Sequence, residues 1–416
     1  MRVAHVSDCY PPRVGGIETQ VRDLAAHQHR AGLDVHVLTA TADGGPHPAN
    51  GGRHPARGNH PGGGPRPAGD PPPADGDGPV VHRLATPLTF GVPVHPLERP
   101  LLRRHLSALR PDVVHVHAGV LSPFAYAGAR AALRLGLPLA LTWHCMLDGV
   151  TGLYRALAGP TGWRTAPVAL SAVSAVAGRR VAAVFDRPEE DVLVLPNGVD
   201  VAAWAPPAVG RAPLPPAGPL RVVATQRLAP RKRAVPLVRL VARAHARLRA
   251  AGAPGLTLTL IGAGPAEGAV RAEVARLGLG AVVDLPGRVD HDRLRAHYAG
   301  VHVFVAPARL EAFGIAALEA RAAGLAVVAG RGTGVSEFIT DGVDGLLTAD
   351  RAAGLDDAAA DAALARALVT LGTPGGPLGP ILRHNAAVPP AADWADVLTA
   401  ADRLYAVARA ASGAVR

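Results

Sequence analysis

Short apolar runs that alternate with helical stretches constrain the fold of this chain more than any other feature. Strands that alternate with helices along a chain pack as a parallel sheet with helices on both faces. The pattern therefore predicts an α/β protein with two doubly wound, Rossmann-like parallel sheets. The predicted strands lie near 2–7, 34–39, 79–84, 112–116, 137–142, 167–172 and 191–195, and then near 220–224, 256–261, 281–285, 301–306 and 325–329.

A proline-rich stretch at 204–219 separates the two series of strands and predicts a linker. We therefore predict one domain over 1–203, a second over 220–385, and a last amphipathic helix within 390–416 that returns to the first domain. Residues 43–79 interrupt the first domain with Gly, Pro, His, Arg, Asp and Ala and no apolar period. Such a segment buries too little surface to offset its ordering entropy, so it is predicted to be a disordered insertion.

Two carboxylates lie eight positions apart across the predicted start of a helix. This helix is predicted to begin at Phe313-Gly314, and its first turn offers unpaired backbone N–H groups and a positive dipole end, which suit a phosphate. Glu311 lies just before that turn and Glu319 inside the helix. One carboxylate can then reach hydroxyls beyond the phosphate while the other reaches a ribose behind it. The alternative interpretation is two glutamates on a solvated helix face.

Two cations, Arg227 and Lys232, lie in the predicted loop between a strand and the next helix. Cations at this spacing can neutralise a pyrophosphate leaving group. An Arg-rich solvated loop is the alternative interpretation. The following strand ends in the turn Gly262-Ala263-Gly264, but Gly268 comes one position too late for the third glycine of a dinucleotide fingerprint. The sequence thus argues against an NAD-dependent dehydrogenase.

Together these segments resemble the E-x7-E motif and the G-R-x-x-x-x-K diphosphate clamp of retaining glycosyltransferases with the GT-B fold. The resemblance is greatest to family 4, also called group 1, and to its mannosyltransferase-like members. Gln226 stands where the family has Gly. Further segments that resemble the family are Tyr10 to Glu18, Thr142 to Met146, Leu285 to Val289 and Gly334 to Leu346.

The resemblance implies that a hexose-type sugar is transferred from a UDP- or GDP-sugar with retention of anomeric configuration. It implies that Arg227 and Lys232 stabilise the departing diphosphate, that Glu311 holds hydroxyls of the donor sugar, and that Glu319 holds the ribose. The implied catalytic residues are His144, Arg227, Lys232 and Glu311. The implied nucleotide-sugar-binding residues are Gly15, Gly16, Gly262, Arg288, Val289, Phe313, Gly314, Ile315 and Glu319.

No cofactor is expected, and no metal, because no D-x-D segment follows a suitable strand and protein cations replace the role of the ion. The acceptor, whether glycan, lipid or small molecule, is left open. Two other functions also stay open. A nucleotide-sugar epimerase or hydrolase on the same fold would need an acid/base set facing the donor, and a non-catalytic sugar-nucleotide-binding protein would not need both cations and both glutamates.

The formal net charge is +10, from 43 basic and 33 acidic residues, and aromatic residues make up only 4%. So few aromatic residues offer no surface on which bases could stack, which argues against nucleic acid as a partner. The positive charge instead favours anionic substrates or weak contact with an anionic membrane surface. A compositional bias of the genome explains the charge equally well. No long apolar run and no signal peptide is evident, so a cytoplasmic protein, peripheral at most on the inner membrane face, is expected. Cys9 and Cys145 are expected to be reduced, and could lie close together.

Overall fold

The computed structural model describes residues 1–13, 15–42, 78–84, 98–205, 218–349 and 354–414. Most of the predicted insertion and most of the predicted linker lie outside these residues. The strands are β1 Arg2–Ser7, β2 Asp34–Thr39, β3 Val80–Arg83, β4 Val113–Ala118, β5 Leu139–Trp143, β6 Val168–Ala172, β7 Val192–Val194, β8 Leu220–Thr225, β9 Leu256–Ile261, β10 Val283–Gly287, β11 Val303–Ala306, β12 Ala326–Gly330 and β13 Gly345–Thr348. The helices are α1 Gly16–Arg30, α2 Glu98–Leu109, α3 Pro123–Arg134, α4 Thr151–Ala158, α5 Ala175–Phe185, α6 Val201–Trp204, α7 Ala234–Ala250, α8 Glu267–Arg276, α9 His291–Ala299, α10 Ile315–Ala322, α11 Asp357–Gly372, α12 Leu378–Ala387 and α13 Trp394–Gly413.

Within the described residues the strands form two sheets, in the orders β3-β2-β1-β4-β5-β6-β7 and β10-β9-β8-β11-β12-β13. Every strand pair of the second sheet is parallel. In each sheet the chain first builds outward on one side and then on the other, so the order reverses between β1 and β4 and between β8 and β11. Open α/β sheets bind ligands at the carboxyl ends of the strands where the order reverses. The predicted fold class, two parallel-sheet α/β domains, is confirmed.

Two local features differ from the expectation. Strand β13 was not among the predicted strands, because its short sequence Gly345–Thr348 follows a turn and has little periodicity of its own. Helix α10 begins at Ile315, not at Phe313-Gly314, since Gly314 has a left-handed backbone with φ of 97° and cannot continue a right-handed helix.

By packing, the chain divides into two compact units, which we call unit 1 (residues 1–141 and 408–416) and unit 2 (residues 142–407). The division falls within β5, and the predicted domain boundary near residue 203 stays a prediction. Unit 1 includes the end of α13, where the Ser412 hydroxyl donates to the Gly136 carbonyl at 3.1 Å. The structure has a helix, α13, where the sequence predicts the last amphipathic helix, and its return to the predicted first domain stays a prediction.

The core of unit 2 forms where α7 packs against the second sheet. Helix α7 buries one apolar stripe, which includes Leu237, Val241, Ala244 and Leu248, at the three- and four-residue spacing of one helix face. Each buried Leu or Val contributes about 1.5–3 kcal/mol relative to exposure. This packing anchors the strands β8 and β11, whose carboxyl ends carry the loops described below.

Candidate active site

The loop after β8 carries Arg227, and a glycine turn after β9 fixes its backbone. Gly262 has φ of 135°, and a Cβ there would lie 1.9 Å from the Gln226 carbonyl oxygen. At Gly264 a Cβ would lie 2.4 Å from the Leu228 carbonyl oxygen. Only glycine allows this approach of two backbones on either side of Arg227. The Arg227 side chain itself is exposed, as a cation that contacts a ligand has to be.

Lys232 and Glu311 form an ion pair across the point where the second sheet reverses its order. Lys232 ends a short 3-10 helix after β8, and Glu311 lies in the loop after β11. The Lys232 Nζ atom lies 2.5 Å from Glu311 Oε2, and each side chain is 22% exposed. Two residues predicted separately for catalysis, 79 positions apart, are thus in direct contact.

A glycine also supports the loop that carries Glu311. The Gly334 N–H donates to the Glu311 carbonyl at 2.9 Å, and a Cβ at Gly334 would lie 2.1 Å from the Ala312 carbonyl oxygen. At Gly314 a Cβ would lie 2.5 Å from the Val335 side chain. The segment that begins at Gly334 therefore fits closely against the Glu311 loop and holds it in place.

Helix α10 follows this loop and presents its first turn at the same edge of the sheet. The Ala317 and Leu318 N–H groups bond to the Gly314 carbonyl, so the N–H groups of Ile315 and Ala316 precede the first intrahelical bonds. Glu319 is the fifth residue of α10 and is partly buried. The helix dipole and these N–H groups together suit a phosphate.

Three other predicted binding residues of unit 2 differ in how far their side chains are exposed. The Phe313 ring is buried and lies 5.4 Å from the Phe338 ring, so its side chain packs in the interior and only its backbone is suited to a ligand. Arg288 directly follows β10 and is exposed, and Val289 is partly buried.

Tyr298 is a residue that the sequence reasoning missed. It is fully buried in α9, and its hydroxyl lies 3.0 Å from Thr225 Oγ1, at the end of β8. Burial, and next the negative charge of Glu319, raise the pKa of Tyr298 well above its usual value, so the phenol stays protonated. Tyr298 thus joins the end of β8 to the environment of Glu319. The four-residue spacing from Leu294 was the available signal, but it indicates burial and not this contact.

His144 and Cys145 directly follow β5 and lie in unit 2. Burial lowers the pKa of His144 to about 4, so the imidazole is neutral at pH 7 and suits a hydrogen bond better than a charge contact. Burial raises the pKa of Cys145 to about 12, against the opposing effect of Arg231. Arg231 is the neighbour of Lys232, which indicates that the segment after β5 approaches the loop after β8. Both cysteines of the chain are free thiols.

Gly15 and Gly16 belong to unit 1, whereas the site residues described above belong to unit 2. Gly15 precedes the first residue of α1, and a Cβ there would lie 2.4 Å from Glu18 Oε2. Glu18 is buried and pairs with Arg13 at 3.2 Å. The absence of a side chain at Gly15 thus leaves room for the Glu18 carboxylate.

Comparison with known proteins adds to this geometry. The family model described as glycosyl transferases group 1 matches residues 211–368, and the model described as glycosyltransferase family 4 matches residues 14–203. The chain is 28% identical over 430 residues to a glycogen synthase of Mycobacterium tuberculosis, covering 98% of this chain and 95% of that protein. It is 28% identical over 369 residues to a GDP-mannose-dependent alpha-mannosyltransferase of Mycolicibacterium smegmatis, covering 83% and 84%.

Solved structures share the fold. The structure of Anabaena HepE in complex with UDP and glucose has a TM-score of 0.68 at 18% identity and covers 98% of this chain and 100% of that chain. The sucrose-phosphate synthase of Thermosynechococcus elongatus has a TM-score of 0.68 at 20% identity, covering 97% and 98%.

Two parallel α/β sheets and these structural neighbours show the GT-B fold, and the two family models show that the protein is a glycosyltransferase. The two family models together span most of the chain. The chain belongs to glycosyltransferase family 4, the group 1 glycosyltransferases. Among the described residues, no helix has the length and apolar character that crossing a bilayer requires.

Proposed function

We propose that the protein transfers a hexose-type sugar from a UDP- or GDP-sugar to a hydroxyl of a glycan, lipid or small-molecule acceptor, with retention of anomeric configuration. The contact between Lys232 and Glu311 carries this proposal. It puts the residue assigned to the diphosphate beside the residue assigned to the sugar, at the strand ends where a ligand is expected.

Each part of the donor lies against a different group at the carboxyl edge of the second sheet. The diphosphate lies between Arg227 and Lys232 and against the first turn of α10, where two cations and backbone N–H groups face it. The sugar lies toward Glu311, and the ribose toward Glu319. In the absence of donor Lys232 and Glu311 neutralise each other, and on binding each exchanges part of this contact for the diphosphate and for the sugar hydroxyls.

In the reaction the acceptor oxygen forms a bond to the anomeric carbon while the bond from that carbon to the phosphate oxygen breaks. The proton of the acceptor hydroxyl goes to the leaving phosphate on the same face, so the anomeric configuration is retained. Negative charge grows on the diphosphate, and Arg227 and Lys232 stabilise it because they are already in position. The neutral imidazole of His144 donates a hydrogen bond to a sugar hydroxyl at the reaction centre or accepts one from it. We propose that no metal or other cofactor takes part in this step.

The relatives support both donor classes, since one is described as GDP-mannose-dependent and a structural neighbour binds UDP. A screen of UDP- and GDP-sugars for a rise in melting temperature identifies the donor, because a ligand that binds only the folded state stabilises it. NMR of the product formed with that donor then gives its anomeric configuration. Inversion would contradict the proposed mechanism, and free sugar or epimer from the donor alone would indicate the hydrolase or epimerase.

A lipid acceptor would bring the protein to a membrane surface from the cytoplasmic side. Helix α4 exposes Leu153 and Leu157 beside Arg155, a combination that suits the interface of an anionic bilayer. Sedimentation with anionic vesicles at low salt, reversed by salt, would support this acceptor class. Absence of sedimentation would favour a soluble acceptor.

A further inference from the structure

Three histidines meet in the interior of unit 1, and none belongs to the residues assigned to sugar transfer. His5 lies on β1, and His115 and His117 lie on β4. All three are buried, with exposed fractions of 0%, 0% and 2%. One ring nitrogen from each histidine lies within 4.8 Å of the other two. In the described part of the chain, no other group of three or more His, Cys, Asp and Glu residues brings its ligand atoms this close together.

The sheet register brings these imidazoles to one face. Strands β1 and β4 pair in parallel with His5 opposite His115 and Ser7 opposite His117. Residues two apart on a strand point to the same face, so His115 and His117 share the face of His5.

The spacing of the nitrogens suits a tetrahedral metal ion. Bonds of about 2.0–2.1 Å from Zn²⁺ to imidazole nitrogen put two ligands about 3.3 Å apart. The His5 Nδ1 and His117 Nε2 atoms are 2.9 Å apart, and the whole set lies within 4.8 Å. The required separation lies between these two values, so small rotations of the rings bring all three nitrogens to one centre.

A neighbouring amide already orients one of the ligands. His5 Nε2 lies 2.7 Å from Gln28 Oε1, a buried residue of α1. An amide oxygen only accepts, so Nε2 carries the hydrogen and Nδ1 keeps its lone pair. A ligating histidine in metalloproteins usually donates its other N–H to such an oxygen, which fixes the tautomer and the ring orientation.

We propose that His5, His115 and His117 bind a divalent transition-metal ion in the interior of unit 1, and that this ion is Zn²⁺. The ion is structural, and it joins β1 to β4 beneath α1. Three neutral imidazoles suit Zn²⁺ and its neighbours Co²⁺ and Ni²⁺, and not Mg²⁺ or Ca²⁺, which take oxygen ligands. Because the site is buried, the ion enters during folding or a rare opening and then exchanges slowly.

The test uses the untagged full-length protein. We expect close to one zinc per chain after refolding with Zn²⁺ and removal of loosely bound ions. Refolding with Co²⁺ should give the visible absorption bands of a tetrahedral site made by the three imidazoles and one water molecule, and either metal should raise the melting temperature. A wild-type protein that takes up neither metal under these conditions overturns the proposal.

Variants locate the ion. His117→Gln should lose at least nine-tenths of the metal, while Gln28→Leu, which keeps all three imidazoles, should bind about 10- to 100-fold more weakly. His36→Gln is the matched control, because His36 is another histidine on a strand of unit 1; it is partly buried and contacts His82 at 3.0 Å. It should keep the full metal content.

A second control addresses the histidines of the predicted insertion, His47, His54 and His60. Replacing all three by Asn should leave the metal content and the Co²⁺ spectrum unchanged. Loss of the metal in this variant, or in His36→Gln, would place the ion elsewhere and overturn the proposal. If His117→Gln does not fold, unchanged affinity in Gln28→Leu would contradict the site independently. These readouts are metal content and spectrum, so they are separate from any failure of the proposed transferase activity.

Discussion

Replacing Lys232 by Ala should separate the role of the clamp in catalysis from its role in stability. In the folded protein the change leaves the Glu311 carboxylate without its 2.5 Å partner. Breaking a fully buried pair costs about 3–5 kcal/mol, whereas an exposed pair is worth about 1 kcal/mol or less. Both side chains are 22% exposed, so water reaches the remaining carboxylate. We therefore expect a loss of about 1–2 kcal/mol in the free energy of unfolding.

The expected loss in turnover is larger. Removing one preorganised donor from a developing charge typically costs a factor of about 100–1000, or about 3–4 kcal/mol of barrier. A domain that is stable by about 5–15 kcal/mol stays folded after losing 2 kcal/mol, so unfolding does not explain a hundredfold loss. The assay measures release of nucleoside diphosphate at saturating donor, beside thermal unfolding of the same samples.

Arg271→Ala is the matched control for Lys232→Ala. It breaks the 2.8 Å pair between Arg271 and Glu267 on α8, where the Arg271 side chain is 55% exposed and neither residue is assigned to the site. We expect turnover within a factor of two of wild type and a stability change below about 1 kcal/mol. Turnover of Lys232→Ala within threefold of wild type at saturating donor would refute the clamp assignment.

Three further predictions concern other parts of the chain. Glu319→Ala should weaken binding of the free nucleoside diphosphate, whereas Glu311→Ala should leave that affinity nearly intact and lower turnover; equal losses of affinity in calorimetric titration would contradict the two roles. His302 is buried, and burial, with Arg221 beside it, lowers its pKa from 6.5 to about 4. Between pH 6.5 and pH 4 the unfolded chain therefore binds a proton that the folded chain does not, so the free energy of unfolding falls as the pH is lowered through that window. His302→Gln should reduce this loss by up to about 3 kcal/mol, measured by denaturant titrations at pH 7 and pH 4. The same loss in wild type and variant would refute this role of His302. Replacing residues 44–78 by a short Gly/Ser link should change stability by no more than about 1 kcal/mol and keep donor turnover, because loop entropy grows only with the logarithm of length; a much lower melting temperature would assign the segment to the folded domain.

The local pattern of the sequence determined the class of fold. The alternation of apolar strands with helices depends on which residues of each short segment are buried, and neighbouring residues encode this directly. The order of the motifs, from the Gly15-Gly16 loop to Glu311 and Glu319, indicated the family in the same way. Short segments with weak periodicity, such as β13, were beyond this reasoning, and the start of α10 depended on the backbone angle of Gly314.

Only the tertiary structure decided which distant residues meet. Lys232 and Glu311 lie on different loops, and their contact follows from the pairing of β8 with β11 at the point where the sheet reverses its order. His5 and His115 are neighbours because of the register between β1 and β4. A periodic pattern tells which face of a segment is buried, but not which segment covers it. Strand order and register supply that partner, because they are set by the packing of the whole domain and not by any one segment.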